Sequence, residues 1–318
     1  MKKKFKIFIP IPNGFCAGVI RAIDIVEKLI SIYGTPIYVF NEIVHNIYVI
    51  NNLKKKGIIF TNSIFQIPKN SIIVFSAHGV PSNIRTQANN RKLNIFDATC
   101  PLVTKVHIEV KKMISKQLEI IVIGHKNHPE IKGIFGENNN CMHLIENIND
   151  IYNLKIKNSD KLSYVTQTTL SFEETNLIIK RLKEIFPKII GPNKKDICYA
   201  TQNRQNSIKM ISRKCDLIFI IGSKNSSNSN SLCVVIKKFG ISSYLIENIH
   251  EINLNHLMNS KNIGISAGAS APAILVDEFI EQLKFLGAKS IQKITEIEEK
   301  ISFSLPKYFL KNKNLKNS

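Results

Sequence analysis

Residues 95–106 read IFDATCPLVTKV. A short apolar run ends at Asp97, and a helical pattern of apolar residues begins after Pro101. Proline suits the first turn of a helix, where its missing N–H costs nothing. That places Cys100 at the cap, a position where the oxygens of Ser, Thr, Asp or Asn normally accept the first free N–H groups. A thiol is a poor cap, so a cysteine at the positive end of a helix points to some other use.

The arrangement occurs twice more. GFCAGVIRAIDIVEKLISIYG puts Cys16, and ICYATQNRQNSIKMISRKC puts Cys198, directly before amphipathic helical patterns, at intervals of 84 and 98 residues around Cys100. Each helix is followed by an apolar strand (TPIYVF, LEIIVIG, CDLIFIIG) that runs into a polar loop (NEIVHN, HKNHPE, SKNSSNSN). A second helix then leads to a second strand in SIIVFSAHGVPS, KLSYVTQTTLS and KNIGISAGASAP. These periods are too long for a solenoid and suit three small α/β units. Strands alternating with helices make parallel sheets with right-handed crossovers, and ligands bind beyond the carboxyl ends of the strands. Six polar loops and three cysteine-bearing helix starts are therefore expected around one central cavity.

The chain of 318 residues, 44% hydrophobic, is long enough for a sizeable core divided into two or three domains. No apolar run approaches the roughly 20 residues that cross a bilayer. The opening MKKKFKIFIPIPNGFCAG is broken by Pro10 and Pro12 and has Phe15 where a signal cleavage site wants a small residue. It reads as the first strand of a cytoplasmic protein, in which cysteines need not pair. The net charge of +20 comes from 44 basic and 24 acidic side chains. Nucleic-acid binding is one reading of that excess. The lysines are scattered among Ile and Asn and not interleaved with aromatics, which favours compositional drift. An acidic protein partner would still be attracted.

A thiolate at a helix N-terminus is expected to have a lowered pKa and to be ready to bind metal or act as a nucleophile. One such cysteine reads as a small buried hydrophobe, but three in equivalent positions do not. Cys141, Cys215 and Cys233 lie outside the plan and read as structural or incidental. Three converging thiolates can hold zinc or an iron–sulfur cluster. There is no C-x-x-C pair, and a [4Fe–4S] cube normally takes four cysteines, so three would leave an open corner. His45, His78 and His128 fall at strand ends and can donate to phosphate oxygens. His125 shares the loop of His128, and no H-E-x-x-H spacing supports metal ligation by these histidines. GSKNSSNSNS and SAGASAPA offer backbone and hydroxyl donors around an anion, without a P-loop or dinucleotide fingerprint. Glu130, after a buried strand, suits a proton donor if desolvated, and Thr168 and Thr169 suit a relay.

NGFCAGVIRAI, EIVHN, FSAHGV, FDATCPLVTKVH, GHKNHPE, TQTTLS, DICYATQNRQ, GSKNSSNSN and SAGASAP, in this order, resemble the LytB-type family of 4-hydroxy-3-methylbut-2-enyl diphosphate reductases, from about residue 5 to about residue 306. The resemblance implies an α/β fold of three similar units with parallel sheets, arranged as a pseudo-threefold trefoil around a [4Fe–4S] cluster. It implies units at 18–100, 101–195 and 1–17 plus 196–290, followed by a C-terminal segment at 291–318 with a basic tail. Carried across, the cluster ligands are Cys16, Cys100 and Cys198. The substrate diphosphate falls to His45, His78, Ser226, Ser227, Asn228 and Ser270, with His128 lining the pocket. Thr168 would meet the substrate hydroxyl, and Glu130 would donate a proton. The implied reaction reductively removes an allylic hydroxyl and gives isopentenyl and dimethylallyl diphosphate, the last step of the methylerythritol phosphate pathway. Ferredoxin or flavodoxin is the implied electron donor. A zinc-thiolate hydrolase and a basic nucleic-acid-binding protein are the rival readings.

Overall fold

The computed structural model describes residues 4–295 and 297–311. The distal part of the basic tail, 312–318, lies outside the described residues. The first strand, β1 (Phe5–Ile11), precedes three successive rounds of one plan. The first round is α1 (Ala17–Tyr33), β2 (Ile37–Phe40), α2 (Ile47–Lys55), β3 (Ile58–Thr61), β4 (Ile72–Phe75), α3 (Ser82–Asn90) and β5 (Asn94–Asp97). The second is α4 (Pro101–Ser115), β6 (Glu119–Ile123), α5 (Pro129–Phe135), β7 (Met142–Ile145), β8 (Leu162–Thr166) and α6 (Phe172–Ile185). The third is α7 (Tyr199–Ser212), β9 (Leu217–Ile221), α8 (Ser227–Lys237), β10 (Ser242–Ile246), α9 (Leu254–Met258), β11 (Asn262–Ala267), α10 (Ala273–Leu286) and β12 (Ala288–Thr295). A last short helix, α11 (Tyr308–Lys311), follows.

Each round builds its own parallel sheet, and the strand orders are β3-β2-β4-β5, β7-β6-β8 and β10-β9-β11-β1-β12. The shared motif is a central strand with its successor on one side and the following strand on the other. The order reverses beside β2, β6 and β9, and a crevice opens at the carboxyl end of such a reversal. β1, from the far end of the chain, lies inside the third sheet between β11 and β12. β12 continues that sheet to Thr295, past residue 290.

The central strands are apolar on both faces because helices cover both. β9, LIFII, is buried at every residue. Alternate residues feed two cores: Leu217, Phe219 and Ile221 face α10, while Ile218 and Ile220 face α7 and α8. The same division separates Ile121 and Ile123 from Ile120 and Val122 on β6. In the first unit, Ile37 and Val39 pack on α1 and α2. Near-continuous apolar runs are what parallel strands buried on both faces require. Among the described residues, no helix is long and apolar enough to cross a membrane.

Candidate functional site

The three cysteines of the repeated plan are the N-cap residues of α1, α4 and α7. They line one inner cavity of about 100 Å³, together with His45, His78, His128, Glu130, Thr168, Ser226, Ser227, Asn228 and Ser270. Every site residue expected from the sequence thus reaches the same space. All three thiols are free and partly buried. Gly18, in the first turn of α1, makes room for two of them. A Cβ there would lie 2.7 Å from Cys100 Sγ and 3.9 Å from Cys16 Sγ.

For Cys100 and Cys198 the expected lowering of the thiol pKa does not hold. Burial pushes Cys100 up to about 12 and Cys198 up to about 11, and the neighbouring thiols add to the rise. Desolvation outweighs the positive helix ends here, so thiolates in this space need a cationic partner. Among the described residues, no three His, Cys, Asp or Glu side chains are grouped closely enough to hold a single metal ion. The three cysteines line one cavity. The Gly18 clearance leaves space beside the Cys16 and Cys100 sulfurs, and three thiols of this kind are a donor set suited to an inorganic centre.

The rest of the lining is rich in nitrogen and hydroxyl groups. The His45 and His78 rings stack at 4.2 Å, and His128 stands edge-on to both at 5.7 and 5.6 Å. Glu42 Oε2 holds His45 Nδ1 at 2.7 Å, which leaves the buried His45 Nε2 unpartnered, and His78 Nδ1 is also buried and unpartnered. Buried polar atoms without partners are rare, so these two nitrogens are free to meet a water or a ligand atom. Burial and the neighbouring histidines push the His78 pKa well below the ordinary range and that of His128 to about 3. His128 caps α5 and accepts the Glu130 N–H on Nδ1 at 3.2 Å. Ser226 caps α8, and Ser227 and Asn228 occupy its first turn, so the wall includes a helix N-terminus. Ser270 donates to the His45 carbonyl at 3.0 Å and joins the third unit to the first.

Glu130 is 1% exposed. It accepts the Thr168 N–H on Oε1 at 2.8 Å and the Thr168 hydroxyl on Oε2 at 2.9 Å. Its pKa rises to about 7, chiefly through burial and further through the charge of Asp196, against the pull of the Thr168 hydrogen bonds. A carboxyl of that strength can hold or give up a proton near neutrality.

Two buried residues escaped the sequence reading. Gln167 donates to Ser227 Oγ and Thr169 Oγ1, both at 2.8 Å, and accepts the His125 N–H at 3.0 Å. Thr201 Oγ1 lies 3.1 Å from Cys198 Sγ and accepts from Asn228 Nδ2 at 3.2 Å. Thr201 sits three residues after its cap, a spacing that could have marked it. Thr169 lines the cavity but its hydroxyl is occupied by Gln167, whereas His125 faces an outer cleft and pairs with Glu146 at 3.8 Å. That cleft, of about 1050 Å³, shares His45, His128 and Ser227 with the inner cavity. Cys141, Cys215 and Cys233 are absent from the cavity wall.

Fold and site define a three-unit α/β protein whose central cavity is lined by three thiols together with His, Ser and Asn side chains. The family model for LytB protein matches residues 7–284, and the chain belongs to that family. It is 54% identical over 307 residues to the 4-hydroxy-3-methylbut-2-enyl diphosphate reductase of Wigglesworthia glossinidia brevipalpis, covering 95% of this chain and 97% of that one. The enzyme of the same name from Nitrosomonas europaea is 47% identical over 311 residues, with 95% and 96% covered. The solved E-1-hydroxy-2-methyl-but-2-enyl-4-diphosphate reductase of Plasmodium falciparum superposes with a TM-score of 0.95 at 36% identity, covering 99% of this chain and 100% of that one.

Proposed function

We propose that this chain reductively dehydroxylates (E)-4-hydroxy-3-methylbut-2-enyl diphosphate to isopentenyl and dimethylallyl diphosphate, as the last step of the methylerythritol phosphate pathway. Cys16, Cys100 and Cys198 would hold a [4Fe–4S] cluster. The observation that carries this reading is the cavity itself, whose lining brings together three thiols, the unpartnered His nitrogens and the hydrogen-bonded Glu130–Thr168 pair. The names of the relatives support the substrate, and the chemistry of the donor set supports the cluster.

When bound, the cluster supplies electrons one at a time and a Lewis-acidic iron corner that no cysteine occupies. The protein's part is binding, orientation and proton management. The substrate enters through the outer cleft. His45 Nε2 and His78 Nδ1, with the first turn of α8, take the diphosphate oxygens. Thr168 meets the allylic hydroxyl. The reaction consumes two electrons and two protons, breaks the allylic C–O bond and releases water. Glu130, protonated, passes its proton to Thr168 Oγ1, which passes its own to the departing oxygen. The second proton enters at either end of the allyl system, and two products result. Closure around the diphosphate keeps the reacting carbon beside the cysteines and away from bulk water. Ferredoxin or flavodoxin in the cytoplasm would deliver the electrons, drawn by the net charge of +20.

Anaerobic incubation of the reconstituted protein with the hydroxylated diphosphate and a low-potential reductant tests this. Both five-carbon diphosphates should form with loss of the hydroxyl. Phosphate release without dehydroxylation would identify a hydrolase instead.

A further inference from the structure

Arg204 is the largest fully buried side chain among the described residues, 1% exposed on the helix capped by Cys198. Its guanidinium has five N–H donors in a fixed plane, and the structure uses the whole fork. Nε and Nη2 donate to the Gly14 carbonyl at 3.0 and 2.7 Å, and Nη2 also reaches the Phe15 carbonyl at 3.1 Å. Nη1 takes the Ala200 carbonyl at 2.9 Å and Glu299 Oε1 at 3.1 Å. Gly14 and Phe15 lead directly into Cys16. A second arginine does the same for another cysteine. Arg21, in the second turn of α1, donates from Nη1 to the carbonyl of Thr99, the residue before Cys100, at 3.1 Å.

Both arginines are held by one segment. Glu299 faces Arg204 and also accepts from Asn203 at 3.0 Å, and the Ser304 carbonyl accepts from Arg21 Nε at 3.1 Å. Beyond them, Leu305, Tyr308 and Phe309 pack into the first unit's core. Residues 299–309 therefore contact the third unit through Glu299 and the first unit through Ser304, Leu305, Tyr308 and Phe309. A buried ion pair adds little net stability over an apolar replacement, but a planar fork fixes the direction of the carbonyls it bridges.

We propose that Arg204 and Arg21 are positioning residues that fix the backbone entering Cys16 and Cys100, and that the C-terminal segment is a strap that locks both through Glu299 and Ser304. The inference rests on the reading of those cysteines as cluster ligands. Glu299→Gln in the full chain removes the counter-charge and leaves the guanidinium, and Arg204→Met removes the fork. Hydrogen exchange of the apoprotein should rise at least tenfold in peptides covering residues 13–18, with the core of α7 unchanged. The reconstituted cluster should bleach in air severalfold faster, with a shifted reduction potential. Ile208→Ala, a cavity on the same helix, should lower the melting temperature without that selective exchange. If Arg204→Met does not fold, Glu299→Gln decides alone. Wild-type exchange, bleaching and potential in Glu299→Gln overturn the proposal, as does the same loop-selective change in Ile208→Ala. A wild-type chain that takes up no iron and sulfide overturns the cluster reading instead, and the exchange experiment still judges the strap.

Discussion

Replacing Glu130 by Gln tests the proton-donor role in two independent ways. The amide is nearly isosteric. Its Oε1 can still accept the Thr168 N–H, and its Nε2 can donate to the Thr168 hydroxyl, which swaps from donor to acceptor. Both hydrogen bonds survive, so the cost at low pH is within about 1 kcal/mol. The charge behaviour changes more. Folding raises the Glu130 pKa from 4.5 to about 7. A raised carboxyl pKa means that the folded state binds the proton more tightly than the unfolded state. The associated stability is fully present below about pH 4.5 and is lost as pH climbs through 7. At 1.36 kcal/mol per unit, that loss is roughly 3 kcal/mol. With an unfolding entropy of ~2.1 cal/mol/K per residue, it corresponds to about 5 °C in a chain of this length, of which about 4 °C falls between pH 5 and pH 8.5. Gln cannot ionise and escapes the loss. Melting of the two ligand-free apoproteins in matched buffers should show the variant gaining about 4 °C on wild type between pH 5 and pH 8.5. The same substitution should lower turnover of the reconstituted enzyme ~10²–10⁴-fold with iron content unchanged. A melting difference that does not vary with pH would show that Glu130 is not the buried, protonatable carboxyl described, and unchanged turnover would remove it from the reaction.

Two further perturbations probe the cavity lining. Gly18→Ala adds a methyl 2.7 Å from Cys100 Sγ. The Cys100 thiol must move to admit that methyl, and alanine's better helix propensity offsets part of the cost, so the apoprotein should melt within a few degrees of wild type while its iron and sulfide uptake falls; full uptake would show that the clearance is unused. His78 is buried and held neutral in the free protein, so an incoming diphosphate should raise its proton affinity. Pyrophosphate binding followed by calorimetry in two buffers of different ionisation enthalpy should reveal proton uptake, with tighter binding at lower pH. His78→Ala should weaken that binding roughly 10–100-fold, the loss of a charge-assisted hydrogen bond, and proton release on binding would contradict the assignment.

The cysteines could be found because Pro101 marks a helix start and because the cap–helix–strand–loop plan returns twice at similar intervals. Periodicity was informative wherever a strand is buried on both faces, as in EIIVI and LIFII. It was silent for five strands at sheet edges. β3 (IIFT), β5 (NIFD), β7 (MHLI) and β10 (SSYLI) are short and partly exposed, and β12 (AKSIQKIT) shows exposed or half-exposed side chains throughout. Their strand character comes from pairing with a neighbour and not from their own pattern. Site residues at strand ends were legible as loops of small, hydroxyl and His side chains. Gln167, Thr201 and Arg204 were not, since their roles depend on partners 60, 27 and 190 residues away. The pKa shifts of Cys100 and Cys198 also ran opposite to the expectation from helix ends, because a local motif carries no information on how completely three units desolvate their shared centre.

The account turns on three cap cysteines holding one iron–sulfur centre. Iron and acid-labile sulfide, measured per chain after anaerobic purification or reconstitution, test it most directly, alongside the same assay on Cys16→Ser, Cys100→Ser and Cys198→Ser. About four of each per wild-type chain, as a [4Fe–4S] cube requires, with loss in every one of the three variants, is the predicted result. A colourless wild-type protein carrying zinc without sulfide, or full iron and sulfide in any of the three serine variants, would contradict it.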